Sequence, residues 1–175
     1  MRLETTRTIL RSFEEKDLMD FHEYCSQEGI GEMAGWKHHS DLLNSEEALH
    51  NNIKNNNIFA IENKEDNKVI GHISINEDSE DGREDIKELG FVLNKNYHNR
   101  GIMTELVYGI LNYLFSNGIE SVYACCFKNN KASKKLIEKC GFIFEAEGSF
   151  YSESLHKTFE SFEYVYRKSQ WNIKK

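Results

Sequence analysis

Proline is absent from the 175-residue chain, so no turn or cap is set by a fixed pyrrolidine φ, and its loops must be shaped by glycine, asparagine and side-chain caps. Cysteine is scarce. Cys25, Cys125, Cys126 and Cys140 show no C-x-x-C spacing, which leaves a zinc site or dithiol redox pair without support. The adjacent pair lies in an apolar run and should point to opposite faces of a strand, so reduced structural thiols are expected. Apolar runs stay well short of the roughly 18 residues that a membrane span needs, and the start, MRLETTRTILRSF, has no signal-like apolar core. A soluble, cytoplasmic chain is the expectation. Positive charge is also in deficit, with 22 basic against 29 acidic side chains and a net charge of −7. That argues against a nucleic-acid backbone as partner and suits a cationic substrate. Neither GxxxxGK[ST] nor GxGxxG occurs, which removes the P-loop and dinucleotide folds.

What is present is ordinary globular composition, 39% hydrophobic and 29% charged, with no repeat, linker or compositional break. One mixed α/β domain over residues 1–175 is expected. Thr8 to Phe13 alternates as a first strand. Glu14 to Tyr24 reads as a helix, and Ser45-Glu46-Glu47 as the start of a second one running to Lys54. Asn57 to Glu62, Lys68 to Ile75 and Lys87 to Leu93 read as strands; Gly90 inside the third hints at a bulge or a close backbone approach. Gly101 to Asn117 carries Met103, Leu106, Val107, Ile110, Leu111, Leu114 and Phe115 at helical spacing and ends at Gly118. Strand Ser121 to Phe127, helix Asn130 to Lys139 and strands Phe142 to Glu147 and Phe159 to Tyr166 complete the order. The run Glu77, Asp78, Glu80, Asp81, Glu84 and Asp85 reads first as a wet loop, alternatively as a field that steers an amine.

The segment His98-Asn99-Arg100-Gly101-Ile102-Met103-Thr104 joins a strand to the longest helix. Unpaired amides and the positive end of the helix dipole converge there, so an anion belongs at this turn. Gly101 allows close backbone approach and Arg100 adds charge. With Glu88-Leu89-Gly90-Phe91-Val92-Leu93 before it, and Asn130-Lys131-Ala132-Ser133 and Cys140-Gly141-Phe142 after it, the chain resembles the GNAT acetyltransferases. It is most similar to the branch that holds the Rim-type ribosomal-protein N-terminal acetyltransferases.

That resemblance implies a single α/β GNAT domain with a twisted, mixed, mostly antiparallel sheet of about seven strands flanked by helices. It also implies direct acetyl transfer from acetyl-CoA to a primary amine. The pyrophosphate would meet the amides of Arg100, Gly101, Ile102, Met103 and Thr104, and the pantetheine arm Phe91, Val92, Leu93 and Asn130. His98 stands where the family pattern has glutamine or arginine, and Met103 where it has glycine or alanine. The acceptor implied is a protein N-terminus, with a polyamine or aminoglycoside as alternative. Outside this class, the chain would be a non-catalytic acyl-CoA-binding module.

Amine acetylation needs a base for the ammonium and a proton for the leaving thiolate. Glu88, on the strand expected to line the cofactor, is the candidate base, against a plain strand-edge ion pair. Many GNAT enzymes place a tyrosine seven residues after the asparagine as acid. Ile137 stands there, so the resemblance passes the contact with the CoA sulfur to Ser133, against a simple helix-opening role for Asn130 and Ser133. Glu105 suits the helix dipole. Trp36, His38 and His39 precede the second helix where relatives cover the acceptor, one histidine at least being expected to sit exposed and idle. No spacing supports a metal site. Phe159, Phe162, Tyr166 and the Trp171 region would serve either the core or a homodimer contact, leaving monomer and homodimer both open.

Overall fold

The computed structural model describes residues 1–77 and 82–173. Strands β1 (Leu3–Glu4), β2 (Thr8–Arg11), β3 (Ile58–Asn63), β4 (Lys68–Glu77), β5 (Ile86–Leu93), β6 (Ser121–Phe127), β7 (Ile143–Ser152) and β8 (Lys157–Arg167) form one sheet. Their order is β1-β2-β3-β4-β5-β6-β8-β7. The helices are α1 (Leu18–Cys25), α2 (Leu42–Lys54), α3 (Ile102–Ser116), α4 (Lys131–Lys139) and α5 (Lys168–Ile173).

Every pairing is antiparallel except β5 with β6, which α3 joins as a crossover. That parallel contact runs only from Ile86–Leu89 against Ser121–Ala124. Both strands continue beyond it, β5 to Leu93 and β6 to Phe127, so they diverge and the sheet opens at its centre.

Two cores hold this frame. On one face α3 buries Ile102, Met103, Leu106, Val107, Ile110, Leu111, Leu114 and Phe115, each worth about 1.5–3 kcal/mol when fully buried. On the other, α1 and α2 pack Phe21, Tyr24 and Leu49 with Phe13, Ala60 and Val69, and Phe21 meets Phe13 and Tyr24 edge-on, at 5.4 Å each. Arg11 ties β2 to the entrance of α1. Its guanidinium grips both oxygens of buried Asp17 at 2.8 Å and reaches Glu62 at 2.6 Å.

Several local expectations change. The sheet has an eighth strand, the two-residue β1, and α5 follows β8. The first strand stops at Arg11, and Glu15–Asp17 form a 3₁₀ turn before α1. Helix α2 starts at Leu42 because the Asp41 carboxylate accepts the Asn44 amide at 2.9 Å. Ser45 is instead buried, its hydroxyl 2.8 Å from Nδ1 of both His22 and His39. No bulge marks Gly90, whose pairing with β4 is continuous; a Cβ there would lie 2.6 Å from Ser74 Oγ. The carboxyl-terminal aromatics are used within the chain. Tyr166 is core, Trp171 packs on Phe115, and Phe159 stacks on Phe127 at 4.3 Å. Of the acidic run, Asp78, Glu80 and Asp81 lie outside the described residues.

Candidate active site

Where β5 and β6 separate, the sheet opens into a cleft of about 1240 Å³. At one end lies the head of α3. Gly101 caps it with φ +73°, a left-handed angle that glycine adopts freely, and Gly101, Ile102, Met103 and Thr104 line the cleft with the orphan amides of a helix N-terminus. His98 also lines it, its Nε2 set 2.8 Å from the Leu93 carbonyl. The Arg100 side chain departs from expectation: it turns to Glu65 at 3.3 Å and over the Tyr97 ring at 5.3 Å. Lysines missed in the sequence, Lys95, Lys135 and Lys139, line this end in its place. Lys135 and Lys139 come from α4 and Lys95 from the turn after β5, and only the fold brings the two segments to one cleft.

Phe91, Val92 and Leu93 line the opened edge of β5, and Asn130 and Ser133 stand across from it. Asn130 caps α4, its Oδ1 accepting the Ser133 amide at 3.1 Å. The Ser133 side chain lies beside the Cys126 thiol. Ile137, in the place of the missing tyrosine, is buried core. A different phenol, Tyr123, lines the cleft from the β6 position paired with Glu88.

The other end has a polar floor drawn from one sheet face. His72, Ser74 and Asn76 alternate along β4 beside Glu88 and Gly90 of β5, and Cys125 and Glu163 face each other across β6 and β8. Asn57 donates to Asn76 at 2.7 Å, and Asn76 to Ser74 at 3.3 Å. The Cys125 thiol is pushed up by dehydration, then by Glu88 and Glu163 beside it. Adjacent Cys126 is buried, so the pair does face opposite ways.

The loop between α1 and α2 roofs this end with Met33, Ala34 and Trp36. Asn130 Nδ2 donates to the Met33 carbonyl at 3.2 Å, and Ser152 Oγ to that of Gly35 at 2.7 Å. Neither histidine of the loop is idle. His38 donates its amide to Glu32 at 3.1 Å and sets its ring at 2.7 Å. Dehydration raises the Glu32 carboxyl, but bonds from His38 and Gly29 outweigh it and hold it at about 2. His39 bonds Ser45 and packs against Trp36 at 5.3 Å. Glu105 lies off the site: its carboxylate accepts the Arg7 amide at 3.0 Å and Nε at 2.7 Å, clamping the approach to β2.

His72 carries no signature in the sequence, where it is a lone histidine in a β-rich run. Its Nδ1 lies 3.0 Å from the hydroxyl of buried Tyr24. Dehydration, then the neighbouring His39, pushes its pKa down to about 4. The unfolded chain therefore takes up a proton near pH 6.5 that the folded chain resists. The stabilisation is complete above pH 6.5 and is lost as pH falls toward 4. Unfolding free energy should drop by on the order of 1–2 kcal/mol between pH 7 and pH 5, and urea titrations should show a smaller drop for His72→Gln. The depressed carboxyls, Glu32 among them, act below this window.

Among the described residues, no group of three or more His, Cys, Asp and Glu side chains is placed to hold a metal ion, and no helix is long and apolar enough to cross a membrane. Cations and helix amides at one end of an opened parallel strand pair suit a phosphate-bearing, extended cofactor, and carboxylates at the other end suit an amine. Such a division defines a coenzyme A-dependent acyltransferase. The chain belongs to the acetyltransferase (GNAT) domain family, which it matches over residues 7–143, and is thus an acetyl-CoA-dependent N-acetyltransferase. It is 28% identical to the uncharacterized N-acetyltransferase YnaD of Bacillus subtilis (strain 168), over 98% of this chain and all of that one. The microcin C7 self-immunity acetyltransferase MccE, solved in complex with acetyl-CoA and AMP, shares the fold with TM-score 0.80 and 17% identity over 93% of each chain. A ribosomal-protein-S5-alanine acetyltransferase from Vibrio fischeri shares it with TM-score 0.71 and 19% identity over 98% of each chain.

Proposed function

We propose that this acetyltransferase acts on a protein N-terminal α-amine that enters the roofed end of the cleft, with Glu88 as base and Ser133 at the thiol. The observation that carries the transfer chemistry is the polarity of the cleft, with Lys95, Lys135 and Lys139 at one end and Glu88 and Glu163 at the other. The N-terminal acceptor is supported by the Rim-type motifs and by the fold shared with the Vibrio fischeri enzyme. A small amine is the second reading. The Ser152–Gly35 bond ties the roof to β7 and narrows the mouth that a polypeptide would use.

Acetyl-CoA supplies the activated acetyl thioester. The amides at Gly101 to Thr104 and the nearby lysines hold its anionic end, while Phe91, Val92, Leu93 and Asn130 keep its arm extended. Glu88 draws the proton from the incoming ammonium, directly or through water, because only the free amine is nucleophilic. Ser133 Oγ donates a hydrogen bond to the departing thiolate.

Calorimetric titration with acetyl-CoA, with NAD as control, followed by thiol release against N-terminal peptides and small amines, tests this reading. Acetyl-CoA binding with peptide-dependent release is expected. Release with small amines alone would replace the acceptor class, and failure to bind acetyl-CoA would overturn the reading.

A further inference from the structure

Three carboxylates line the acceptor end of the cleft, and two of them are engaged. Glu145 is paired with Arg167, and Glu88 sits against the Cys125 thiol and is not free of partners. Glu163, half-buried on β8, has no ion pair and no hydrogen bond among the described residues. The fold makes room for it. A Cβ on Gly148 of β7 would fall 2.2 Å from Glu163 Oε1 and 3.1 Å from Ser161 Oγ, so any larger residue there would displace the carboxylate.

A half-buried anion without a partner costs free energy until a cation arrives. Aromatic side chains that suit a cation line the same cleft, from Trp36, Tyr123, Phe127 and Phe150. Glu163 is also displaced from Glu88. It pairs with Cys125, two residues beyond the partner of Glu88, on the strand at the far side of β6. Strand spacing and rise put the two Cα atoms about 11–12 Å apart, so Glu88 can serve the reacting nitrogen while Glu163 serves another group.

We propose that Glu163 is a specificity-determining residue, and that the acceptor is a primary amine bearing a second positive charge. This rests on the acetyltransferase reading of the same cleft. A diamine or polyamine has that chemistry, and so does a peptide N-terminus followed by a basic residue.

Thiol release by wild type and Glu163→Gln, at saturating acetyl-CoA, with matched probe pairs tests it. One pair is 1,4-diaminobutane against 1-aminopentane; the other is Ala-Lys-Ala against Ala-norleucine-Ala. Wild type should prefer the dication in at least one pair by roughly tenfold in kcat/KM, and that pair identifies the source. Glu163→Gln should bring the ratio close to one while leaving acetyl-CoA affinity, read by calorimetry, unchanged. Equal use of both members of each pair, survival of the preference in Glu163→Gln, or no turnover of either dication by enzyme that binds acetyl-CoA would each overturn the inference and leave the transferase reading standing. Absence of acetyl-CoA binding would remove both.

Discussion

Replacing Asp17 with alanine should lower the unfolding free energy by about 3–5 kcal/mol, the range for breaking a buried ion pair by removing one partner. The Asp17 side chain is 3% exposed and that of Arg11 10%. Both Asp17 oxygens meet the guanidinium at 2.8 Å, and one also accepts the Glu14 amide at 2.8 Å. The alanine variant leaves Arg11, mostly out of water, with Glu62, the Ser12 carbonyl at 3.0 Å and the more distant Glu14 carboxylate at 3.9 Å, and frees the Glu14 amide. Urea unfolding followed by circular dichroism checks the value. The double variant Arg11→Met/Asp17→Leu should recover much of the loss, because the penalty lies in the stranded charge rather than in the absent attraction. If Asp17→Ala alone cost under about 1 kcal/mol, the pair would be behaving as a surface bridge.

Ser133→Ala should cost about 100-fold in kcat, the low end of what a positioned proton donor contributes, with acetyl-CoA affinity held. The Asn130 cap bonds the Ser133 main-chain amide, not its hydroxyl, so alanine keeps the start of α4. Within the protein, the hydroxyl's neighbour is the Cys126 thiol, and its removal leaves the α4 cap in place. Calorimetry with acetyl-CoA and turnover on the same sample separate the two roles: unchanged binding with lost turnover fits a group at the sulfur, and unchanged turnover assigns Ser133 to structure. Glu88→Gln serves beside it, since loss of a base should flatten the acid limb of the pH–rate profile.

How far the sequence could be read depended on whether a residue's role was local. Helix α3, β6 and the turn at Gly101 were legible because hydrophobic periodicity and a glycine between strand and helix are short-range signals. The start of α2 was misplaced because Ser45 and Asp41 are both good caps, and only burial of Ser45 between two histidines decides against it. Lys95, Lys135 and Lys139 were missed because the turn after β5 and helix α4 meet only in the folded chain. Glu163 and His72 look like ordinary strand residues until the sheet order puts β8 beside β6 and α1 over β4. Arg100 illustrates the converse. Its place in the motif suggested a phosphate contact, but Glu65 lies in another hairpin and claims the side chain.

The early end of the β5–β6 pairing bears on which substitutions this protein can absorb. From Gly90 onward β5 keeps β4 on one side but has no β6 hydrogen-bond partner on the other, so an extended guest there is met by peptide groups. Peptide groups are the same whatever residue bears them. Phe91, Val92 and Leu93 can therefore drift among residues of similar bulk with the guest retained, whereas proline would delete a donor to the guest at Phe91 or Leu93 and a donor to β4 at Val92. A chain that has no proline anywhere keeps the donors of both edges whole.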